Sequence, residues 1–170
     1  VKVAVSSGHR EVHLLGQIVN HYQCPVDQKC DFDGLLEKLN EESGQLQIRF
    51  ASHHPRHVNN RMISAMRDLP AVCGHLHLPL QSGSTRVLRA MRRRHTRENY
   101  LELVERVRAA IPKLSLSTDI IVGFPGETED MFRETVEICE EIGFAAAHVF
   151  PYSARPGTSA SSVSYTHQPL

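Results

Sequence analysis

The sequence predicts an α/β fold of parallel strands, either a curved slice of a (β/α) barrel or a doubly wound sheet. Two observations carry this. Strand-like and helix-like segments alternate from Glu11 to Tyr152, and helical crossovers require parallel strands in right-handed βαβ units. The apolar, β-branched run before Gly123-Phe124-Pro125-Gly126 also opens directly into an acidic helix start. A buried parallel strand delivers its carboxyl end, a turn and a helix in this way. Chemistry in such folds sits at the carboxyl ends of the strands.

The elements follow in order. Glu11–Gln17 reads as a short strand, and Gln23–Cys30 as a loop without periodicity. Asp31 or Asp33 caps a helix through about Glu42, with Leu35, Leu36 and Leu39 on one stripe and Gly44 past its end. Leu46–Ser52 alternates as a strand, and Pro55 makes His53–His57 a loop. Asn59 or Asn60 caps a short helix holding Met62, Ile63 and Met66, which stops before Pro70. Val72–Leu80 is the next strand. Ser84 caps a basic helix to about Arg93, and Thr96 caps another carrying Tyr100, Leu103, Val104, Val107, Ala110 and Ile111 at helical spacing. Leu114–Phe124 is a strand, and Glu127–Ile142 is a helix with Phe132, Thr135, Cys139 and Ile142 on one face. Ala146–Tyr152 is a last strand. Residues 153–170 lose periodicity and read as an irregular tail or a link to a further domain.

Composition narrows the function classes. With 170 residues, 41% hydrophobic and 22% charged, the chain can bury the core of one domain or a large part of one. Lys+Arg and Asp+Glu balance at 19 each, so no global field draws it to nucleic acid or membrane. No apolar run suits a membrane span, the start does not resemble a secretory signal, and the cytoplasm is the expected compartment. The first residue is Val rather than Met, which suggests a fragment. Cysteines at 24, 30, 73 and 139 include no C-x2-C pair, so they offer no zinc knuckle or iron–sulfur cradle. Free thiols are expected, with Cys73 and Cys139 as small core residues.

Several polar or glycine-rich strand ends converge on one rim: Gly16-Gln17, Gln81-Ser82-Gly83-Ser84, Asp119 and Gly123–Gly126. Glycine admits a ligand close to the backbone, and Gln or Ser adds neutral hydrogen bonds. The arginines at 86, 89, 92, 93, 94 and 97 suit either a solvated helix face or the binding of carboxylate or phosphate. His75 and His77 share a strand face and read as a packed or structural pair, so no metal ligands are assigned. No nucleophile–base pair stands out, and the catalytic residues are unassigned.

The stretches His75–Ser84, Val87–Tyr100, Ser117–Thr128 and Phe150–Thr158 together resemble the radical S-adenosylmethionine (SAM) methylthiotransferases. Leu14–Asn20 and Ser52–Arg56 resemble the tRNA-modifying branch that acts on isopentenyladenosine beside the anticodon. His148–Tyr152 leans toward the sister branch acting on threonylcarbamoyladenosine. The resemblance implies a partial (β/α) barrel over residues 1–152, with SAM lying across its strand ends. Gln81 and Ser82 would touch this cofactor, and Arg93 would pair with its carboxylate. Ile121 and the Gly123–Gly126 turn would line the adenine, Gly16 and Gln17 would meet the methionine end, and Asp119 completes the set. It further implies [4Fe–4S] clusters and tRNA, through its anticodon stem-loop, as partner of the full-length enzyme.

The family's C-x3-C-x2-C cluster loop, with the strand that bears it, is missing, so the stretch alone is expected to be inactive. The alternatives are a metal-dependent barrel hydrolase using His75, His77 and Asp119, and a non-catalytic remnant binding tRNA or protein through its arginines.

Overall fold

The computed structural model describes residues 1–51 and 54–157. Its helices are α1 (Lys2–Ser6), α2 (Phe32–Glu41), α3 (Asn60–Asp68), α4 (Thr85–Ala90), α5 (Arg97–Ala110) and α6 (Glu129–Ile142). The strands are β1 (Glu11–Leu14), β2 (Gln47–Phe50), β3 (His75–His77), β4 (Ser115–Val122) and β5 (Ala146–Pro151). All pairings within the sheets are parallel: β1 with β2, β3 with β4, and β4 with β5. A parallel bridge between Ile48 and Val72 joins the two sheets, with Cys73 donating to the Ile48 carbonyl at 2.9 Å. The strands therefore follow one another in chain order along one open arc. This is the partial (β/α) arrangement, and it does not close among the described residues.

The caps explain where helices begin. Asp31 accepts from the Gly34 amide, Asn59 from Met62 and Thr96 from Asn99, each satisfying an orphan donor of the first turn. Thr128 does the same for α6, which starts at Glu129 rather than Glu127. Glu127 belongs to the preceding turn instead, its carboxylate accepting from the Gly123 and Phe124 amides at 2.6 and 3.3 Å. The basic helix α4 ends at Ala90, short of Arg93, because Arg92 turns to φ 57. Ser84 holds the N-cap position without a side-chain cap bond. Three short elements lie outside the sequence reading: α1, and 3-10 turns at Val19–His21 and Pro55–His57.

One face of the arc is apolar. Ile48, Leu76, Leu78, Leu80, Leu116 and Ile120 are buried against Met62, Met66, Tyr100, Val104, Val107, Ile138 and Ile142. With side chains alternating along a strand, the opposite face carries Arg49, His75, His77, Ser117, Asp119 and His148. The strand predicted over Val72–Leu80 is regular only at His75–His77, and its ladder ends there because Pro79 cannot donate to it. Thr118 takes over there: its hydroxyl donates to the Leu78 carbonyl and accepts from the Leu80 amide, both at 2.9 Å. Tyr100 donates to the same Leu78 carbonyl at 2.6 Å.

One packing expectation is corrected. On α6 the buried residues are Met131, Thr135, Ile138 and Ile142, while Phe132 is exposed. Both stripes have helical spacing and share Thr135 and Ile142, so periodicity could not separate them. β5, at the edge of its sheet with β4 on one side only, is exposed along its whole length.

Candidate functional site

The carboxyl ends of β3, β4 and β5 open on a cleft of about 1060 Å³, lined by Gln81, Met91, Arg93, Asp119, Ile121, Phe124 and Phe150 among others. Its floor begins where β3 turns toward α4. Gln81 there has φ 73, a left-handed backbone that costs a non-glycine residue about 1–2 kcal/mol. It is held by its own amide, which donates to the Asp119 carbonyl, and by its carbonyl, which accepts from the Ile121 amide, both at 2.8 Å. Strain of this kind persists where surrounding structure over-determines it, commonly at ligand sites.

The next residues serve the fold. Ser82 is fully buried, its hydroxyl 3.3 Å from the Thr135 hydroxyl and accepting from the Ser84 amide. Gly83 lies against α6, and its amide donates to Thr135 Oγ1 at 2.8 Å. The glycine is required by a helix rather than by a ligand. At the opposite wall the Gly123–Gly126 turn is closed by Glu127, with positive φ at both glycines.

Of the rim residues predicted from sequence, Gln81, Arg93, Asp119 and Ile121 share the cleft. Gly123 and Gly126 flank Phe124 in the turn beside it, and Ser82 faces the helical layer. Gly16 and Gln17 follow β1 at the other end of the arc, exposed and outside the lining. The aromatic walls Phe124, Phe150 and Tyr152 were not singled out, although Phe124 and Tyr152 stack edge to face at 5.1 Å. Those residues lie in the motifs already noted; what sequence lacked was the register that faces them together. Ser52, His53 and Thr158–Leu170 lie outside the described residues.

The arginines separate by role. Arg92 and Arg93 line the cleft, whereas Arg97 donates to the Glu134 carbonyl and tethers α5 to α6. Behind the cleft His95 is buried, its Nε2 on the Leu80 carbonyl at 3.2 Å. Burial pushes its pKa down, and Arg93 adds to this against the opposing carbonyl. His54, in ring contact with His57 and His95, is likewise lowered by burial and by those neighbours.

The polar face brings His77, Asp119 and His148 together, with ligand-type atoms within 4.8 Å of one another. His75 instead meets Ser117 Oγ at 3.0 Å. The sequence-level trio of His75, His77 and Asp119 is thus replaced by one that uses His148 of β5. All four cysteines are free thiols. Cys24 and Cys30 lie across a short bridge, where the backbone amides of Val26 and Asp27 hold the Cys24 thiol below its usual range. Cys73 and Cys139 belong to other elements, so no loop presents three cysteines to an iron–sulfur cluster.

A family model, the radical SAM superfamily, matches residues 1–139. The chain belongs to the radical SAM superfamily. It is 48% identical to the tRNA-2-methylthio-N(6)-dimethylallyladenosine synthase of Thermoanaerobacter sp. (strain X514), over 96% of this chain and 35% of that protein. The like-named protein of Syntrophotalea carbinolica is 44% identical over 96% of the chain and 37% of its own length. The chain thus spans about a third of these relatives. Among solved structures it resembles the radical SAM methyltransferase TsrM from Kitasatospora setae, with a TM-score of 0.68 at 13% identity, covering 88% of this chain and 27% of that one. Elp3 from Methanocaldococcus infernus gives 0.62 at 17% identity, covering 94% and 41%. These two likenesses concern the radical SAM fold. No helix among the described residues is long and apolar enough to cross a membrane.

Proposed function

We propose that the chain is the SAM-binding part of a radical SAM enzyme that places a methylthio group on C2 of isopentenyladenosine next to the tRNA anticodon. The observation that carries this is the cleft uniting Gln81, Asp119 and Ile121 of adjoining strand ends with Arg93 beyond α4, within a chain 48% identical to a relative named for that product. The residues fit the cofactor. The exposed Arg93 guanidinium suits its carboxylate, Ile121 and Phe124 offer apolar surface to the adenine, and Gln81 and Asp119 offer hydrogen bonds to polar atoms between. Gly16, Gln17, Ser82, Gly123 and Gly126 then act through the backbone or by shaping the turns. When bound, SAM supplies the radical on reduction by a [4Fe–4S] cluster. The cysteines of this chain do not form that cluster's cradle, so the stretch alone binds cofactor without turning it over. Residues 1–152 are the barrel portion of this reading.

Superfamily membership favours this over a metal-dependent hydrolase, and the relatives named above favour isopentenyladenosine over threonylcarbamoyladenosine. The test is nucleoside mass analysis of tRNA from cells lacking the full-length protein. The expected outcome is loss of the methylthio group with isopentenyladenosine retained, restored by the wild type and not by Arg93→Ala. Loss from threonylcarbamoyladenosine instead overturns the branch, and unchanged methylthiolation overturns the reading.

A further inference from the structure

We propose that His77, Asp119 and His148 form a binding site for a divalent transition-metal ion of the zinc class on the polar face of the arc. Three adjacent strands supply the ligands: β3, β4 and β5. Asp119 and His148 are directly paired across β4 and β5, so their side chains emerge at one level on one face. The carboxylate stands between two imidazoles and offers one oxygen to each. Asp119 Oδ2 is 3.1 Å from His77 Nε2, and Oδ1 is 3.5 Å from His148 Nδ1. Ligand atoms on a tetrahedral ion with bonds of about 2.0–2.1 Å stand about 3.3 Å apart. Two of the gaps are close to that spacing, and all three ligand atoms lie within 4.8 Å of one another, so a small closure brings them onto one ion.

A second layer orients the set. Ser117 Oγ lies 2.9 Å from His77 Nδ1 and 3.0 Å from His75 Nε2. Without an ion, His77 Nε2 donates to the Asp119 carboxylate, and this is the proton that an incoming cation displaces. With an ion on Nε2, the His77 ring would donate from Nδ1 to the serine, and the serine hydroxyl onward to His75. A metal-bound histidine generally has its other nitrogen engaged in this manner.

Two imidazoles and one carboxylate match zinc or ferrous iron and are poor for magnesium or calcium. His148 is 60% exposed, so a further position faces solvent. The site uses no cysteine, which separates it chemically from any iron–sulfur cluster. It does not rest on the proposed transfer reaction, although Asp119 also lines the cleft.

The test is calorimetric titration of the chelator-stripped 170-residue chain with zinc, paralleled by cobalt(II) absorption spectra. One equivalent is expected to bind, and the cobalt spectrum should lack a thiolate charge-transfer band. His148→Ala, on an exposed strand, should weaken binding at least tenfold with the circular dichroism unchanged, and the remote His9→Ala should leave it unaltered. His77→Ala should match His148→Ala, and His148→Ala decides the matter if His77→Ala unfolds. Less than one equivalent, a thiolate band, or undiminished binding by His148→Ala overturns the site.

Discussion

Gly83→Ala should be among the most damaging single-methyl additions to this chain. A Cβ at position 83 would lie 2.5 Å from the Glu134 carbonyl oxygen, 2.5 Å from Thr135 Cα and 2.7 Å from Ile138 Cγ2. These contacts are about 1 Å inside the optimum of about 3.5–4.0 Å. Two of the three atoms are α6 backbone, so no rotamer change relieves them and the helix must retreat. Overpacking of this sort costs about 1–3 kcal/mol. Retreat also breaks the bond from the Gly83 amide to Thr135 Oγ1, worth about 1 kcal/mol. A total of about 2–4 kcal/mol, with a urea slope of about 2 kcal/mol/M, lowers the unfolding midpoint by about 1–2 M. Circular dichroism in urea measures it. Gly74→Ala is the control, since its Cβ meets nothing within 4 Å. A midpoint for Gly83→Ala equal to that of Gly74→Ala would refute the close approach of turn and helix.

Other expectations follow from the same geometry. Thr118→Val strands the Leu80 amide and leaves the Leu78 carbonyl to Tyr100 alone, which should cost about 1–3 kcal/mol; because Tyr100 shares that carbonyl, a double-mutant cycle with Tyr100→Phe in urea should show non-additivity. Asp33 is buried and its pKa is raised, chiefly by burial against the Asn59 bond. The native state therefore holds its proton to higher pH than the unfolded chain, and its contribution to stability falls as pH rises through the carboxylate range. Asp33→Asn should stabilise the chain at pH 7, with the gain disappearing in acid by thermal melts. His54, His57, His75 and His95 shift the opposite way, all lowered from 6.5 mainly by burial. Their contribution is present above 6.5 and is lost as pH falls through the lowered native values, so the urea midpoint should drop on that side. Arg93→Ala in the full-length protein should weaken SAM binding roughly 10- to 100-fold by calorimetry, the loss of a charged hydrogen bond of about 1.5–3 kcal/mol, without changing the melting temperature.

The element order was legible because strand alternation and the Asp31, Asn59 and Thr96 caps are local signals that act through nearest neighbours. What resisted reading was set by contacts distant in sequence. Either stripe of α6 satisfies helical periodicity, and only the meeting of Thr135 with Gly83, 52 residues away, selects the buried one. Glu127 looks like a helix start until its carboxylate is seen closing the turn at Gly123. The cleft was half legible: Gln81 and Asp119 could be placed at strand ends, and Arg93 and Ile121 came from the family resemblance, but Ser82 and Gly83 resemble ligand residues equally well and prove to be helix contacts. His148 went unassigned as a ligand partner because its relation to Asp119 exists only through strand register.

The two faces of the arc also divide the labour between stability and chemistry. The helix-facing side is a closed apolar core, and its few polar groups, Thr118 and Tyr100, repair the ladder where Pro79 interrupts it. That repair positions Gln81: the strand must resume pairing at the Asp119 carbonyl and Ile121 amide, and only a left-handed residue bridges the two. The strain at Gln81 is thus balanced by buried hydrogen bonds several residues upstream. Loosening the Thr118 bonds should therefore disturb the cleft even though Thr118 never reaches it, and a Thr118→Val chain with undiminished SAM affinity would break that link.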